Sequence, residues 1–342
     1  MAEPSLPTTR RRVAIPPLAD VSLPTRGPIE RLGGETMGTT WSVLLVAPAP
    51  VNVAALGPAI RQELDGIVAQ MSPWLDASDI SRFNRASARS VHSLPEPFFT
   101  VLAFALATAR DSDGAYDPTV GPLVDLWGFG PASPRAEPPS PAEIDAVRGR
   151  VGWDRIALDA AARTAVQPGG VAVDLSAVAK GYAVDRVAAL LRSRHAESFL
   201  VEIGGELRGE GVKPDGQPWW VSLERPGRGA ARGEEIETVV ALYQASVATS
   251  GDYRKYFDHG GVRYAHTIDP RTARPVAHDL ASVSVVHADC MAADALSTAL
   301  YVMGADAGLA FAAARNIAAL FVRRVNGELV ETPTPAFTAM LE

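Results

Sequence analysis

The chain has 342 residues and a net charge of −7, with 47% hydrophobic and 21% charged residues. That is the balance of a globular enzyme with room for one large or two moderate cores. The acidic balance excludes the basic field that a nucleic-acid backbone requires, and no apolar run reaches the roughly 18 residues of a membrane-spanning helix. The single cysteine, Cys290, has no internal disulfide partner, which fits a reducing compartment.

In chain order, residues 1–33 are rich in Pro and Arg and predict a flexible arm. Arg10, Arg11 and Arg12 resemble the basic start of an export signal. The following "VAIPPLADVSLP" is broken by prolines and an aspartate, so a cytoplasmic location is expected. "TTWSVLLVA" predicts a strand, and Ile60, Leu64, Ile67, Val68 and Met71 mark the inner face of a helix. "SPWLDASDISRFN" is turn-rich. "PEPFFTVLAFALATARDSDG" predicts a buried helix ending at Gly114, and "PASPRAEPPSPAE" (131–143) a surface linker.

Beyond residue 150 strands dominate: "RIALD", "TAVQ", "VAVDL", "SFLVEIGG", "WWVSLERP", "TVVALYQASVATS" and "LASVSVVH". Two hairpins are expected, one turning at Gly260–Gly261 and one at Asn326–Gly327. A helix beginning near Ser176 and carrying Lys180 has Val184, Val187, Ala188 and Leu191 on its core face, and two more span about 290–303 and 305–315. Strands and helices mix without strict βαβ alternation. The predicted class is therefore α+β, a mixed and largely antiparallel sheet with packed helices.

Two stretches carry candidate chemistry. "VDLSAVAKGYAVDRV" places Asp174, Ser176 and Lys180 at a strand-to-helix junction, either as a cap and ion pair or as a site for phosphates and a base. In "ADCMAADALSTALYVMG", Ala292, Leu296, Ala299 and Met303 form an apolar stripe, while Asp294 and Thr298 stack one turn apart on another side. A solvated face explains that pair. So does a pair of hard oxygen ligands for Mg²⁺, which takes few protein groups and fills its shell with water and phosphate oxygens. "EIGGELRGEG" lacks the Rossmann spacing, and no Walker-type loop is present. In "HTIDPRTARP", His266 and Asp269 flank a turn that needs no function to explain it.

Taken in order, "ETMGTTW", "SPWLDASDISRFN", "GAYDPTVGPLVDLWGFG", "VDLSAVAKGYAVDRV", "LVEIGGELRGEG", "VATSGDYRKYF", "YAHTIDPRTARPV" and "ADALSTAL" closely resemble the ApbE family, the FAD:protein FMN transferases. The resemblance runs from about residue 33 to 330, within an expected domain of 34–335. It implies an ApbE-like fold. It also implies Mg²⁺-dependent cleavage of FAD, transfer of FMN to a Thr or Ser hydroxyl of an acceptor flavoprotein, and release of AMP. By resemblance, Met37, Trp74, Ala115, Tyr116, Asp117, Asp174, Lys180 and Ile268 contact the flavin nucleotide, and Ala177 (through its carbonyl), Asp294 and Thr298 hold the metal. His266 fits the position of the base that deprotonates the acceptor. Ala177 and Ala273 stand where the family commonly has glycine, and the export signal and lipidation cysteine of many members are not seen. FAD hydrolysis to FMN and AMP, or flavin binding without catalysis, are the alternative activities.

Overall fold

Strict alternation builds the central sheet. In the strand Thr39–Val46, Trp41, Val43 and Leu45 are buried on one face and pair with Ile203, Val201 and Phe199. Leu44 and its partner Leu200 face the other way and join a separate cluster. This is the period-two pattern of a sheet covered on both sides. A computed structural model of the chain, describing residues 10–17, 26–49, 51–132, 134–226, 236–253 and 255–341, extends the pairing to eight strands. Their order is Glu328–Pro333, Ala318–Val325, Leu280–His287, Ala245–Gly251, Glu206–Glu210, Phe199–Ile203, Thr39–Val46 and Ile29–Thr36. Every neighbouring pair is antiparallel.

Helices Val53–Met71, Glu96–Asp111 and Ala179–Ser193 cover one part of the inner face, and Cys290–Met303 and Ala305–Ala314 cover the rest. The opposite face packs against a three-stranded sheet. The predicted α+β class is the one adopted. Both expected hairpins form, with positive φ at Gly260 and Gly261 and at Asn326 and Gly327, the mirror-image turn that suits strand twist.

The structure departs from expectation in several segments. Within the arm expected to be flexible, Arg10–Ala14 is a strand parallel to Ile236–Leu242. Arg11 and Arg12 pair with Glu237 and Glu331 at 3.2 and 2.8 Å, so the basic run meets carboxylates of the folded domain. The strand Ile29–Thr36 also begins inside that arm; residues 1–9 and 18–25 lie outside the described residues. "TVVALYQASVATS" divides at Gln244, whose φ is +50°. Ile236–Leu242 joins the small sheet and Ala245–Gly251 the large one.

"VAVDL" forms no strand. Its backbone is satisfied by side chains and a loop instead: Asn84 brackets Val173 with bonds of 2.7 and 2.8 Å, and Asp174 N–H donates to the Pro118 carbonyl. The expected linker 131–143 overlaps a helix, Pro141–Arg148, started by a Ser140–Glu143 capping box. "EIGGELRGEG" contains a strand, Glu206–Glu210, after a turn at Gly204 and Gly205.

Candidate active site

Two helices lock together by exchanging carboxylates. Asp185, on Ala179–Ser193, accepts from the N–H groups of Cys290 (3.0 Å) and Met291 (2.9 Å), capping the start of the second helix. Asp294, on that second helix, accepts from the Gly181 N–H at 3.0 Å in the first turn of the first helix. The approach depends on glycine. A Cβ at position 181 would collide with the Cys290 carbonyl and lie 2.8 Å from the Asp294 Cβ. The helix starts at Ala179 rather than near Ser176, because Asp174 takes the Ser176 N–H at 2.8 Å in a local turn. The first-turn donor of Gly181 therefore serves Asp294 and is not free for a diphosphate.

Asp294 is 3% exposed, which removes the solvated-face explanation of the Asp294–Thr298 pair. Burial raises its pKa, opposed by the positive charge of Lys180 and by the Gly181 hydrogen bond. Lys180 forms an ion pair with the buried Glu206. Burial alone would lower the lysine's pKa, but Glu206 and Asp294 outweigh it and hold it above the ordinary value. Glu206 moves up through burial and the repulsion of Asp294, with Lys180 pulling the other way. Tyr116 lies within the fields of Asp294, Asp174 and Asp117, and with burial they push its phenol well above its usual range. Two buried oxygens, Tyr116 Oη and Glu206 Oε2, have no hydrogen-bond partner among the described residues.

Two buried carboxyl groups thus face one ammonium, Glu206 through a hydrogen bond and Asp294 through its field, a buried oxygen cluster that suits a cation. Thr298 is half-buried, and its hydroxyl meets Ser250 Oγ at 3.0 Å; Ser250 also bonds Ser297 at 2.8 Å. Among the described residues no three His, Cys, Asp or Glu side chains group to hold a metal. The available donor set is instead one carboxylate, one hydroxyl and the carbonyl of Ala177, three residues before Lys180. A carboxylate and a hydroxyl one turn apart on one helix are hard oxygen donors of the kind Mg²⁺ takes in small number beside substrate phosphates.

His266 follows the hairpin of Tyr256–His259 and Val262–Ala265. Its Nδ1 lies 3.1 Å from the Lys255 carbonyl. A carbonyl only accepts, so Nδ1 carries the proton and Nε2 keeps its lone pair. Burial lowers its pKa to about 4, with the charges of Lys255 and Lys180 adding to the fall and the Lys255 carbonyl and Asp252 opposing it. The imidazole is neutral at pH 7 and near enough to Lys180 to feel its charge. A stacked aromatic row supports it: Trp127 on Tyr264 on Phe257 on Phe129, whose ring meets the histidine edge-on at 6.3 Å.

The remaining predicted residues are more scattered. Met37 sits at the tip of the Ile29–Thr36/Thr39–Val46 hairpin with φ +49° and packs on the main core. This tip adjoins the turn before Glu206, since a Cβ on Gly204 would press on Thr39. Trp74 lies in a loop and is 64% exposed, an uncovered indole face. Ala115 is buried beside Tyr116.

Asp117 is committed locally, accepting from the Thr119 N–H at 2.7 Å and the Thr119 hydroxyl at 2.6 Å. Ile268 is buried in a separate cluster with Leu123, Trp127, Ile144 and Ala273, so its side chain is not free to face a ligand. Ala273 adopts the left-handed conformation, φ +59°, and its carbonyl accepts from the Trp127 indole at 3.1 Å. The turn keeps a glycine-type geometry without glycine. Sequence reasoning passed over Glu206, Gly181 and Asp185. The signal for Gly181 was present, a glycine one residue after Lys180 inside a helical pattern.

Residues 37–321 match the sequence profile described as the ApbE family. An FAD:protein FMN transferase from Haemophilus influenzae is 37% identical over 319 residues, 91% of each chain. One from Vibrio cholerae is 36% identical, covering 91% of this chain and 92% of its own. Among solved structures, the apo flavinyl transferase ApbE of Pseudomonas stutzeri superimposes with a TM-score of 0.84 at 38% identity, covering 92% of this chain and 96% of its own. The Vibrio cholerae flavin transferase ApbE gives 0.84 at 35% identity, covering 92% of this chain and all of its own. The fold and these relatives define an α+β flavin transferase. The chain belongs to the ApbE family.

Proposed function

We propose that this chain is a Mg²⁺-dependent FAD:protein FMN transferase that attaches FMN through a phosphoester to a Thr or Ser hydroxyl of an acceptor flavoprotein and releases AMP. The observation that carries the reading is the buried Asp294, held on the Gly181 N–H one turn from Thr298 and sharing Lys180 with Glu206. A binding protein without catalysis has no need of a buried cluster of carboxyl oxygens around a lysine at this point. Asp294, Thr298 and the Ala177 carbonyl would hold the metal, which when bound neutralises charge on the diphosphate and on the departing AMP.

The chain's own groups account for the remaining chemistry. Lys180 keeps two ammonium protons beyond its Glu206 bond and directs positive charge at the diphosphate. The neutral His266 offers Nε2 as acceptor for the hydroxyl proton. The hydroxyl oxygen bonds to the FMN phosphorus as the bond from that phosphorus to the bridging oxygen breaks, and that oxygen leaves with AMP. Met37 and Trp74 supply apolar and aromatic surface for the flavin nucleotide.

No helix among the described residues is long and apolar enough to cross a membrane. A cytoplasmic location is the reading favoured by the integration of Arg10–Ala14 into the small sheet of the folded domain. The direct test is to follow AMP release from FAD with and without Mg²⁺ in the presence of the acceptor. Metal-dependent AMP release matched by flavin on the acceptor supports the reading; metal-independent release, or none, overturns it.

A further inference from the structure

Outside the residues assigned above, the group most closely built into the site is Glu206. It opens a strand of the main sheet, opposite Ile203 across the turn at Gly204 and Gly205, whose φ values are +62° and +104°. Its place is therefore set by sheet backbone rather than by a flexible loop. The residue is 4% exposed. One carboxylate oxygen accepts from Lys180, and the other is buried without a partner among the described residues. Most buried polar groups are hydrogen-bonded, and a buried ion pair kept only for stability can often be replaced by apolar residues of similar volume. Here a carboxyl group is retained in a dry position with one of its two oxygens unpaired among the described residues.

The surroundings say what it does there. Lysine is a point charge on a four-carbon stem with many rotamers, and nothing in its own geometry fixes where the ammonium sits. Lys180 is drawn by two carboxylates, Glu206 through a hydrogen bond and Asp294 through its field. Only Glu206 is anchored to the sheet; Asp294 belongs to the helix that also carries Thr298. We propose that Glu206 is a positioning residue for the transfer reaction: it fixes the Lys180 ammonium beside Asp294, so that the charge is already in place when the diphosphate arrives. This inference rests on the transferase reading above.

A double-mutant cycle tests it, using the full chain with FAD, Mg²⁺ and acceptor and reading single-turnover AMP release together with FAD affinity from flavin fluorescence. Glu206→Ala is expected to slow release by about tenfold or more, the usual cost of losing a group that orients another, with FAD affinity nearly unchanged. Glu206→Gln keeps an oxygen for the ammonium and is expected to restore most of that loss. In a Lys180→Met background, Glu206→Ala should add no further slowing, because the group it positions is gone. If Glu206→Ala does not fold, Glu206→Leu fills the volume without an acceptor and takes its place in the cycle. Equal slowing with and without Lys180, or no slowing in the Lys180 background, overturns the inference. A wild-type chain that releases no AMP overturns the transferase reading itself, which keeps the two failures distinct.

Discussion

Asp294 and His266 carry opposite burdens, one a buried carboxylate and the other a half-buried neutral base. Asp294→Asn leaves an amide oxygen for the Gly181 N–H, so the fold should survive while the charge is lost. FAD cleavage should then fall by more than about tenfold, the equivalent of well over 1 kcal/mol at the barrier. Normal AMP release from this variant at limiting Mg²⁺ would exclude Asp294 as a ligand. His266 is lowered to about 4, below the usual 6.5. The folded state therefore binds fewer protons than the unfolded one between those values. Its contribution to stability is complete above about 6.5 and is lost as the pH falls toward 4. Ring NMR of the free enzyme should show a neutral Nδ1–H tautomer at pH 6 and a midpoint near 4; a midpoint at 6.5 would remove the burial argument. His266→Ala should slow transfer by roughly 100-fold or more while FAD affinity holds.

The pairing of Asp294 with Thr298 was legible in the sequence because it is local, four residues on one helix. The burial of that pair was not, since it depends on Gly181 bringing a second helix against the first. Gly181→Ala makes the point testable at the scale of elements. The new methyl meets backbone rather than a movable side chain, so the helices must part, at a cost of about 1–3 kcal/mol. Chemical denaturation should show that loss, and FAD cleavage should fall with it because Asp294 moves away from Lys180. A variant of wild-type stability and rate would show that the close approach is not required. The same logic explains why Glu206 read as part of a glycine-rich loop. Its partner Lys180 lies 26 residues earlier, and no periodicity reports a contact between a strand and the start of a helix.

At the scale of the whole molecule, the strands of the large sheet were readable wherever side chains alternate, as in Trp41, Val43 and Leu45. The split of "TVVALYQASVATS" between two sheets was not, because a single left-handed residue, Gln244, redirects the chain. Nor was the strand Arg10–Ala14, whose arginines read as a solvated arm until Glu237 and Glu331 supply their partners. That strand lies on the face of the sheet opposite the helices and the site. Removing residues 1–17 should therefore lower the melting temperature while FAD affinity stays within about twofold, because distant and independent sites act additively. A loss of FAD binding without a loss of stability would contradict this separation of the two faces.

In a transferase, FMN passes from FAD to a protein hydroxyl rather than to water. Intact-mass spectrometry of an acceptor flavoprotein, incubated with the enzyme, FAD and Mg²⁺, measures that outcome directly, with AMP counted in the same reaction. The expected result is an acceptor heavier by one phosphoester-linked FMN, one AMP released for each acceptor modified, and no mass change when the acceptor's Thr or Ser is replaced by Ala. Free FMN and AMP beside an unmodified acceptor would make the protein a hydrolase, and intact FAD would make it a flavin-binding protein; either result would contradict the account.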